Sequence, residues 1–454
     1  MNLISSGVFD RWDSRTTFVL ALSASSVGLG NLWRLSYLSG EYGGGAFVIT
    51  YVLCLFFLAV PVMVAEVVLG SYGGPDTMAA MAHASASSRL SRGWKWVGAL
   101  ACLTGLLILS LYVVIAGWSL AYFGFMQEGT FSALRAVEVG AHFELFLSQP
   151  MHQIYWQSLF LLVAAGVVVL GVQRGLAVLV WFAVPLMLAM LAFLVKFAFD
   201  NGNLEATQGY LFSTTMMDFT PRSALVALGH AFFTLGVGVG TGIAYGAYAP
   251  QRTPIARSVV AVAVFDTVIA ILAGLAIYSI VFANNMAPAG GPGLLFVSLP
   301  YAFGNLMEGE LAGTVFFALM VLTALGSAVA ILEPIVATLK RELGFQRFTV
   351  TLLVGTVVWF LALAIVESLE AEPQYEWLGK QNLLGLLDTF TSTILLPLVA
   401  LLITLFVGWC MQPKILRQAL TRESDLFYSL WRILLRYIAP PAIIWLMLSP
   451  VYWP

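Results

Sequence analysis

Residues 23–31 read Ser-Ala-Ser-Ser-Val-Gly-Leu-Gly-Asn and lie in the middle of the first long apolar segment of the chain. Residues 233–240 read Phe-Thr-Leu-Gly-Val-Gly-Val-Gly and lie in the sixth such segment. Each glycine in a helix interior costs about 1 kcal/mol relative to alanine. Alternating glycines beside hydroxyl side chains therefore favour unwound backbone, although small residues also allow close packing of membrane helices. Unwound backbone at mid-membrane depth is stable only where it lines a cavity or lies buried in protein.

The composition around these two stretches is typical of a membrane protein. Of the 454 residues, 60% are hydrophobic and 10% are charged, and the mean hydropathy is +0.92. Soluble domains carry about 25% charged residues, so this chain is neither a soluble enzyme nor a disordered protein. The net charge of −2 offers no basic surface to a nucleic acid. The three cysteines lie far apart and indicate neither a disulfide framework nor a metal site.

The hydropathy pattern predicts eleven membrane-spanning helices, numbered here as spans 1–11. Each apolar segment is long and lacks the alternation that the strands of a membrane barrel would show. The predicted limits are 16–39, 45–72, 94–125, 154–172, 175–198, 223–249, 256–284, 312–340, 348–368, 382–409 and 429–450.

The distribution of charge predicts the orientation of the chain. Most of the 21 lysines and arginines fall in loops and helix ends that are cytoplasmic if the N-terminus is cytoplasmic. The loop between spans 9 and 10 is acidic instead, with Glu367, Glu370, Glu372 and Glu376. We therefore predict a multi-pass protein of the inner (plasma) membrane of the cell, with the N-terminus inside and, after eleven spans, the C-terminus outside.

The two glycine-rich spans occupy equivalent positions in two halves of the chain. Spans 1–5 fall in residues 1–199, spans 6–10 in residues 222–409, and residues 410–454 hold an inner loop and the eleventh span. Five helices per half give the second half the opposite topology, and paired broken helices in such repeats form a transport site at the midplane. Broken helices offer free N–H groups to an anion and free oxygens to a hard cation. The pattern predicts a cation-coupled carrier of a small anionic or zwitterionic solute.

Five motifs resemble those of the neurotransmitter:sodium symporter family, and the resemblance extends over spans 1–10. The motifs occupy residues 12–15 (Trp-Asp-Ser-Arg), 27–34 (Val-Gly-Leu-Gly-Asn-Leu-Trp-Arg), 42–47 (Tyr-Gly-Gly-Gly-Ala-Phe), 290–296 (Gly-Gly-Pro-Gly-Leu-Leu-Phe) and 392–397 (Ser-Thr-Ile-Leu-Leu-Pro). Eleven spans rather than twelve resemble its shorter bacterial amino-acid carriers, and the chain is similar to the bacterial leucine and hydrophobic amino-acid transporters. The resemblance implies an all-α membrane protein with two inverted five-helix repeats, unwound helices 1 and 6, and one additional C-terminal helix.

The resemblance also implies a substrate site. In the family, the substrate carboxylate meets the broken span 1, which corresponds here to the backbone of Leu29 and Gly30, and a hydroxyl of span 3, here Tyr112. Relatives that carry monoamines have aspartate where this chain has Gly28, so an amino acid is favoured, with an apolar or aromatic side chain. The implied substrate-binding residues are Ser26, Leu29, Gly30, Ile108, Tyr112, Phe233, Thr234, Gly236, Val239, Ser327 and Ile331.

One sodium site follows from the same resemblance. Its ligands would be the backbone oxygen of Ser26 and the side chains of Asn31, Thr234 and Asp266, all of them the oxygen donors that a hard cation needs. Many relatives have asparagine in place of Asp266. Chloride-dependent relatives obtain the missing negative charge from a bound anion, so we expect no chloride requirement here. Two alternatives stay open, since Asp266 could carry a proton on the return step or only form hydrogen bonds within the bundle.

A second sodium site is incomplete in this sequence. The resemblance assigns it the backbone oxygens of Ala24, Val27 and Thr323 and the side chain of Ser327. Gly326 stands where relatives carry another hydroxyl. The site would be weak, completed by water or absent, and the sodium stoichiometry stays open.

The resemblance assigns gates to both ends of the site. Arg34 and Asp388 match the outer gate, above the aromatic lid Phe233, and Tyr248 matches a tyrosine that caps the inner side. Glu66 is expected to accept hydrogen bonds from the unwound part of span 6.

The inner gate departs from the pattern of the relatives. Some of them pair an arginine with an acid at positions that hold Phe9 and Arg341 here, and two substitute pairs are open. These pairs are Arg11 with Glu342 and Asp10 with Arg341. Glu333 would either line an inner water path or be protonated and inert.

The sequence thus predicts a secondary active transporter that imports an amino acid with sodium by alternating access. A bundle of spans 1, 2, 6 and 7 would tilt against a scaffold of spans 3, 4, 8 and 9. A proton-coupled or sodium-independent carrier of the same fold is the main alternative, and a channel or a substrate sensor comes after it. Neither His-Glu-x-x-His nor Gly-x-Ser-x-Gly occurs, so no enzyme is expected. The expected partners are the amino acid and the lipid bilayer, with no nucleic acid and with the oligomeric state open.

Overall fold

A computed structural model describes residues 11–212, 219–284, 286, 293–370 and 382–452. Within these ranges every regular element is a helix. Nine uninterrupted helices of the described residues are long and apolar enough to span a membrane. Some of the residues used above lie outside the described ranges, and these are Phe9, Asp10, residues 290–292, Glu372 and Glu376.

The helices agree with the predicted spans to within a few residues at most ends. The nine helices correspond to spans 2–5 and 7–11, and their bounds are Gly45–Gly73, Arg92–Gln127, Pro150–Val169, Val172–Asn201, Ile255–Ala283, Gly309–Leu343, Arg347–Leu369, Leu383–Cys410 and Asp425–Ser449. Shorter helices lie between them at Thr77–Ser87, Ala136–Leu147, Leu204–Leu211, Leu294–Gly304 and Pro413–Ala419.

Spans 1 and 6 are each divided into two parts, as the glycine pattern predicts. Span 1 is helical over Arg15–Ser26, becomes extended at Val27 (φ −74°, ψ 102°) and resumes as a wide turn at Gly30–Arg34, followed by Leu35–Glu41. Span 6 is helical over Pro221–Thr234 and again over Thr241–Tyr248. The predicted fold class of this chain is therefore confirmed.

The glycines of span 6 explain why that helix stops. Gly236, Gly238 and Gly240 have φ values of +64°, +91° and +83°, a left-handed region that side chains with a Cβ atom rarely adopt. A Cβ atom on Gly238 would also lie 2.8 Å from the carbonyl oxygen of Leu396 in span 10. The unwound segment therefore needs glycine both for its backbone angles and for its close approach to span 10.

Aromatic packing fixes the inner half of span 6 to the start of the chain. Trp12 is buried, and its ring centroid lies 5.0 Å from that of Tyr245 and 5.8 Å from that of Tyr248. The Trp12 amide donates a hydrogen bond to the Tyr248 carbonyl oxygen at 2.9 Å. The N-terminal segment is therefore packed against the second half of span 6, on one side of the two breaks.

Candidate substrate and sodium site

The break in span 1 leaves peptide N–H groups that side chains satisfy. The amide of Gly28 donates to the Asn31 Oδ1 atom at 3.0 Å, and the amide of Leu29 donates to the Tyr112 hydroxyl oxygen at 3.2 Å. Ser26 is buried at the end of the first half-helix, and its hydroxyl donates to the Leu22 carbonyl. Span 3 therefore holds the broken backbone in place through one tyrosine hydroxyl.

Asp266 in span 7 is fully buried beside this break and accepts hydrogen bonds from three other spans. The Asn31 Nδ2 atom donates to it at 2.7 Å, the Thr234 hydroxyl at 3.0 Å and the Tyr51 hydroxyl at 3.3 Å. No arginine or lysine of the described residues forms an ion pair with this carboxylate. A buried carboxylate without a positive partner is costly, and the oxygens around it suit a hard cation.

The residues assigned to a second sodium site also meet, but they leave less room. The Ser327 hydroxyl points to the Val27 carbonyl oxygen at 3.5 Å, and the Thr323 hydroxyl is engaged within its own helix by the Leu319 and Met320 carbonyls. A Cβ atom on Gly326 would lie 2.7 Å from the carbonyl oxygen of Ala24. Spans 1 and 8 therefore approach most closely where relatives carry the missing hydroxyl.

The predicted side-chain pocket surrounds the two breaks. A Cβ atom on Gly28 would lie 2.7 Å from the Ser327 hydroxyl oxygen and 2.9 Å from that of Tyr112, so a side chain at this position would displace these two hydroxyls. Phe233, next to the break in span 6, faces Gly30 in the break of span 1. A Cβ atom on Gly30 would lie 3.2 Å from the Phe233 ring.

The apolar members of this pocket come together around Gly105 in span 3. A Cβ atom on Gly105 would lie 3.3 Å from Ile331 and 3.4 Å from the backbone oxygen of Val239. One turn further along span 3, Ile108 is buried, and Gly236 faces Val239 within the break of span 6.

The outer end of the site carries the predicted pair of opposite charges. The Arg34 Nη1 atom lies 3.6 Å from the Asp388 Oδ1 atom, and about a third of each side chain is exposed (29% and 39%). The Arg34 guanidinium also lies over the Phe233 ring, 4.8 Å from its centroid. An exposed pair of this kind contributes only about 0–1 kcal/mol, so it can open at little cost.

The inner end of the site holds an ion pair that neither prediction named. The Tyr248 hydroxyl donates to Glu333 at 2.6 Å, and Glu333 is fully buried in an ion pair with Arg347 of span 9. Arg347 also donates to the Val168 carbonyl of span 4 at 2.6 Å. Glu333 is thus charged and paired, so its predicted role as a protonated, inert residue is wrong, and its role in an inner water path stays a prediction.

The arginines of the two predicted inner pairs have other surroundings. Arg341 lies 3.7 Å from Asp76 at the start of the helix Thr77–Ser87. Arg11 and Glu342 form no ion pair with each other in the described part of the chain. The prediction of a pair between Arg11 and Glu342 is therefore wrong for this structure, whereas Asp10 lies outside the described residues and its pairing with Arg341 stays a prediction. Glu333 itself indicated a basic partner such as Arg347, because an acid inside a membrane span is costly without a positive partner.

Glu66 of span 2 supports the second break as the sequence predicts. It is fully buried, and its Oε1 atom accepts a hydrogen bond from the Gly238 amide at 2.7 Å. The unwound peptide of span 6 thereby gains the acceptor that a helix would have supplied.

Two broken helices that face a buried carboxylate are the arrangement of membrane transporters built from inverted repeats. A comparison with protein families matches residues 9–132 and 147–452 to the sodium:neurotransmitter symporter family. The chain belongs to this family and is a sodium symporter of the membrane.

Relatives of the same length support this assignment. An uncharacterized sodium-dependent transporter of Bacillus subtilis, YhdH, is 32% identical over 444 residues, which are 97% of each chain. An uncharacterized sodium-dependent transporter of Haemophilus influenzae is 26% identical and covers 97% of this chain and 98% of its own. The crystal structure of MhsT in complex with L-phenylalanine is 33% identical with a TM-score of 0.88, over 97% of this chain and 99% of MhsT.

Proposed function

We propose that the protein imports an amino acid with an apolar or aromatic side chain, together with one sodium ion, by alternating access. The observation that carries this proposal is the buried Asp266 carboxylate, which accepts hydrogen bonds from two hydroxyls and one side-chain amide and has no positive partner among the described residues. It lies beside the broken backbone that would receive a substrate carboxylate. The solved relative MhsT holds L-phenylalanine, which supports the substrate class.

Sodium and substrate would strengthen each other's binding in this arrangement. A cation held by Asn31, Thr234 and Asp266 would touch the substrate carboxylate, while the Leu29 and Gly30 backbone and the Tyr112 hydroxyl orient it. Because binding free energies are reciprocal, each ligand would raise the affinity of the other by the same factor. That coupling converts a sodium gradient into import.

We further propose that chloride is not required. Tyr51, Thr234 and Asp266 already meet around the position where a chloride-dependent relative binds its anion. The Asp266 carboxylate supplies negative charge and would repel a second anion. His230 lies beside this group, with its ring centroid 5.2 Å from that of Tyr51.

Alternating access would use the two gates in turn. Bundle spans 1, 2, 6 and 7 would tilt against scaffold spans 3, 4, 8 and 9. The outer pair Arg34–Asp388 would open when the contact between Tyr248 and Glu333 is closed, and the reverse. The protein would act in the inner membrane of the cell, with its N-terminus inside and its C-terminus outside.

Uptake into proteoliposomes tests this function directly. We expect inward L-phenylalanine transport with sodium outside and none when choline replaces sodium. Uptake that follows a proton gradient in choline would favour the proton-coupled carrier instead. Counterflow of labelled against unlabelled substrate is expected for a carrier, and its absence would favour a channel or a sensor.

Tyr112→Phe is expected to weaken substrate binding about tenfold or more, because it removes a hydrogen bond to a charged group and to the Leu29 amide. The matched control is Tyr122→Phe, which makes the same change in the same span at a hydroxyl without a partner in the described residues. Binding of labelled L-phenylalanine measures both variants. Equal affinities for the two variants would contradict the role given to Tyr112.

The crowding at Gly326 predicts a stoichiometry of about one sodium ion per amino acid, since spans 1 and 8 leave no room for a hydroxyl at this position and the second site lacks one of its ligands. The ratio of radioactive sodium flux to amino-acid flux measures this number. Gly326→Ser requires the two spans to separate, so we expect it to lower transport without adding a second ion. A ratio near two in the unaltered protein would contradict the single site.

A further inference from the structure

The cytoplasmic end of span 11 carries two arginines without an acidic partner. Arg432 and Arg436 lie four residues apart, which places them on the same side of a helix. The loop before this span contains two acids, Glu423 and Asp425. Each of these acids is paired with an arginine from elsewhere, namely Arg257 and Arg417 respectively. Neither Arg432 nor Arg436 forms an ion pair within the described residues.

Arg436 is held at the level of the inner membrane surface. Its Nε atom donates to the Gly408 carbonyl, and its guanidinium lies over the Trp409 ring, 5.5 Å from the centroid. The Trp409 Nε1 atom in turn donates to the Arg436 carbonyl at 3.3 Å. Span 10 ends one residue later at Cys410, so this contact marks its cytoplasmic end. Tryptophan is enriched at this level of membrane proteins.

Both arginines keep donors that no described protein group uses. The only hydrogen bond that the Arg436 guanidinium forms with a described residue is the one to Gly408, which leaves both Nη atoms open. The Nε atom of Arg432 is buried and has no partner in the described part of the chain. The Nη groups of a guanidinium form a planar fork of N–H donors. This fork suits a phosphate group better than it suits a single water molecule.

An apolar stripe runs beside the two arginines. From Arg436 toward the membrane interior, Tyr437, Ile444 and Leu448 recur at helical spacing and are exposed by 56%, 45% and 45%. The Tyr437 ring packs edge-on against Trp409 with centroids 5.5 Å apart. A ligand that matches this surface has an apolar chain next to a negatively charged head.

We propose that Arg432 and Arg436 bind the phosphate of an anionic phospholipid in the inner leaflet, with its acyl chains along the stripe. The arginines carry two positive charges, and a lipid such as phosphatidylglycerol brings a net negative charge to them without a positive charge of its own. Phosphatidylcholine has the same phosphate but adds a quaternary amine, so it would bind more weakly. The site lies apart from the substrate site and does not depend on the ion that drives transport.

Native mass spectrometry of the full-length protein tests this site. The detergent-solubilised protein is titrated with phosphatidylglycerol or with phosphatidylcholine of the same acyl chains. We expect phosphatidylglycerol to be retained about tenfold more tightly, and the double variant Arg432→Gln/Arg436→Gln to lose that preference. Lys414→Gln is the control, because it removes an exposed positive charge from the inner loop before span 11, outside the stripe. This variant should keep the preference for phosphatidylglycerol.

Three results would overturn the proposal. One is an unchanged preference for phosphatidylglycerol in the double variant. Another is competition by millimolar inorganic phosphate, which would indicate a site for the free ion rather than for a lipid. The third is retention of lipid only by a dimer that the double variant cannot form, which would make the stripe an interface between two copies. Binding of L-phenylalanine by each variant verifies that it is folded.

Discussion

Asp266→Asn is expected to raise the sodium concentration for half-maximal transport by roughly 30- to 150-fold, which corresponds to about 2–3 kcal/mol. The variant keeps the size of the side chain and one oxygen ligand but loses the negative charge in a fully buried place. The remaining groups around it are neutral hydroxyls and an amide, so nothing nearby replaces that charge. Sodium-dependent uptake of L-phenylalanine in proteoliposomes measures the change.

The same variant separates the three roles that Asp266 could have. We expect chloride, compared with gluconate, to recover part of the lost sodium affinity in Asp266→Asn and to have no effect on the unaltered protein. A proton-carrying role would instead abolish the response of transport to internal pH and leave sodium affinity unchanged. A purely structural carboxylate would leave both unchanged and would lower only the thermal stability.

Arg347→Gln is expected to destabilise the protein by about 3–5 kcal/mol, because it leaves Glu333 buried without its positive partner. Arg135→Gln is the matched control, since it breaks an ion pair that is largely exposed (82% and 40%) and should leave the thermal stability almost unchanged. Thermal unfolding in detergent compares the two variants.

The double variant Glu333→Gln/Arg347→Gln should recover much of this stability, because it removes both buried charges together. It should also transport faster or slower than the unaltered protein, since Tyr248 then meets a neutral amide instead of a carboxylate. If Arg347→Gln were no less stable than Arg135→Gln, the buried ion pair between Glu333 and Arg347 would not contribute to the stability of the protein.

Local chemistry made the broken helices predictable from the sequence. Gly236, Gly238 and Gly240 are needed at backbone angles that other residues avoid, so their spacing alone indicates unwound backbone. Glu66 is the only acid in span 2, and its pairing with the Gly238 amide follows from the need of that amide for an acceptor.

Contacts between residues far apart in the sequence follow from no local pattern. Some of them could be predicted from the family resemblance, and others could not be predicted. Asn31 and Asp266 are 235 positions apart, and no local pattern places them 2.7 Å from each other. The family resemblance predicts that pair. The positions that form the inner gate in some relatives hold Phe9 and Arg341 in this chain, and these two residues cannot form an ion pair. Arg347 reaches Glu333 across the turn between spans 8 and 9, and this depends on how the two helices pack. Arg341, six residues earlier, reaches Asp76 instead.

The most direct test is the affinity of the purified protein for L-phenylalanine, measured by titration calorimetry in sodium and in choline. We expect tight binding in saturating sodium and a loss of at least about tenfold when choline replaces it, with sodium affinity rising by the same factor when the amino acid is present. Equal affinity for L-phenylalanine in sodium and in choline would contradict a shared site at Asp266 and the broken span 1.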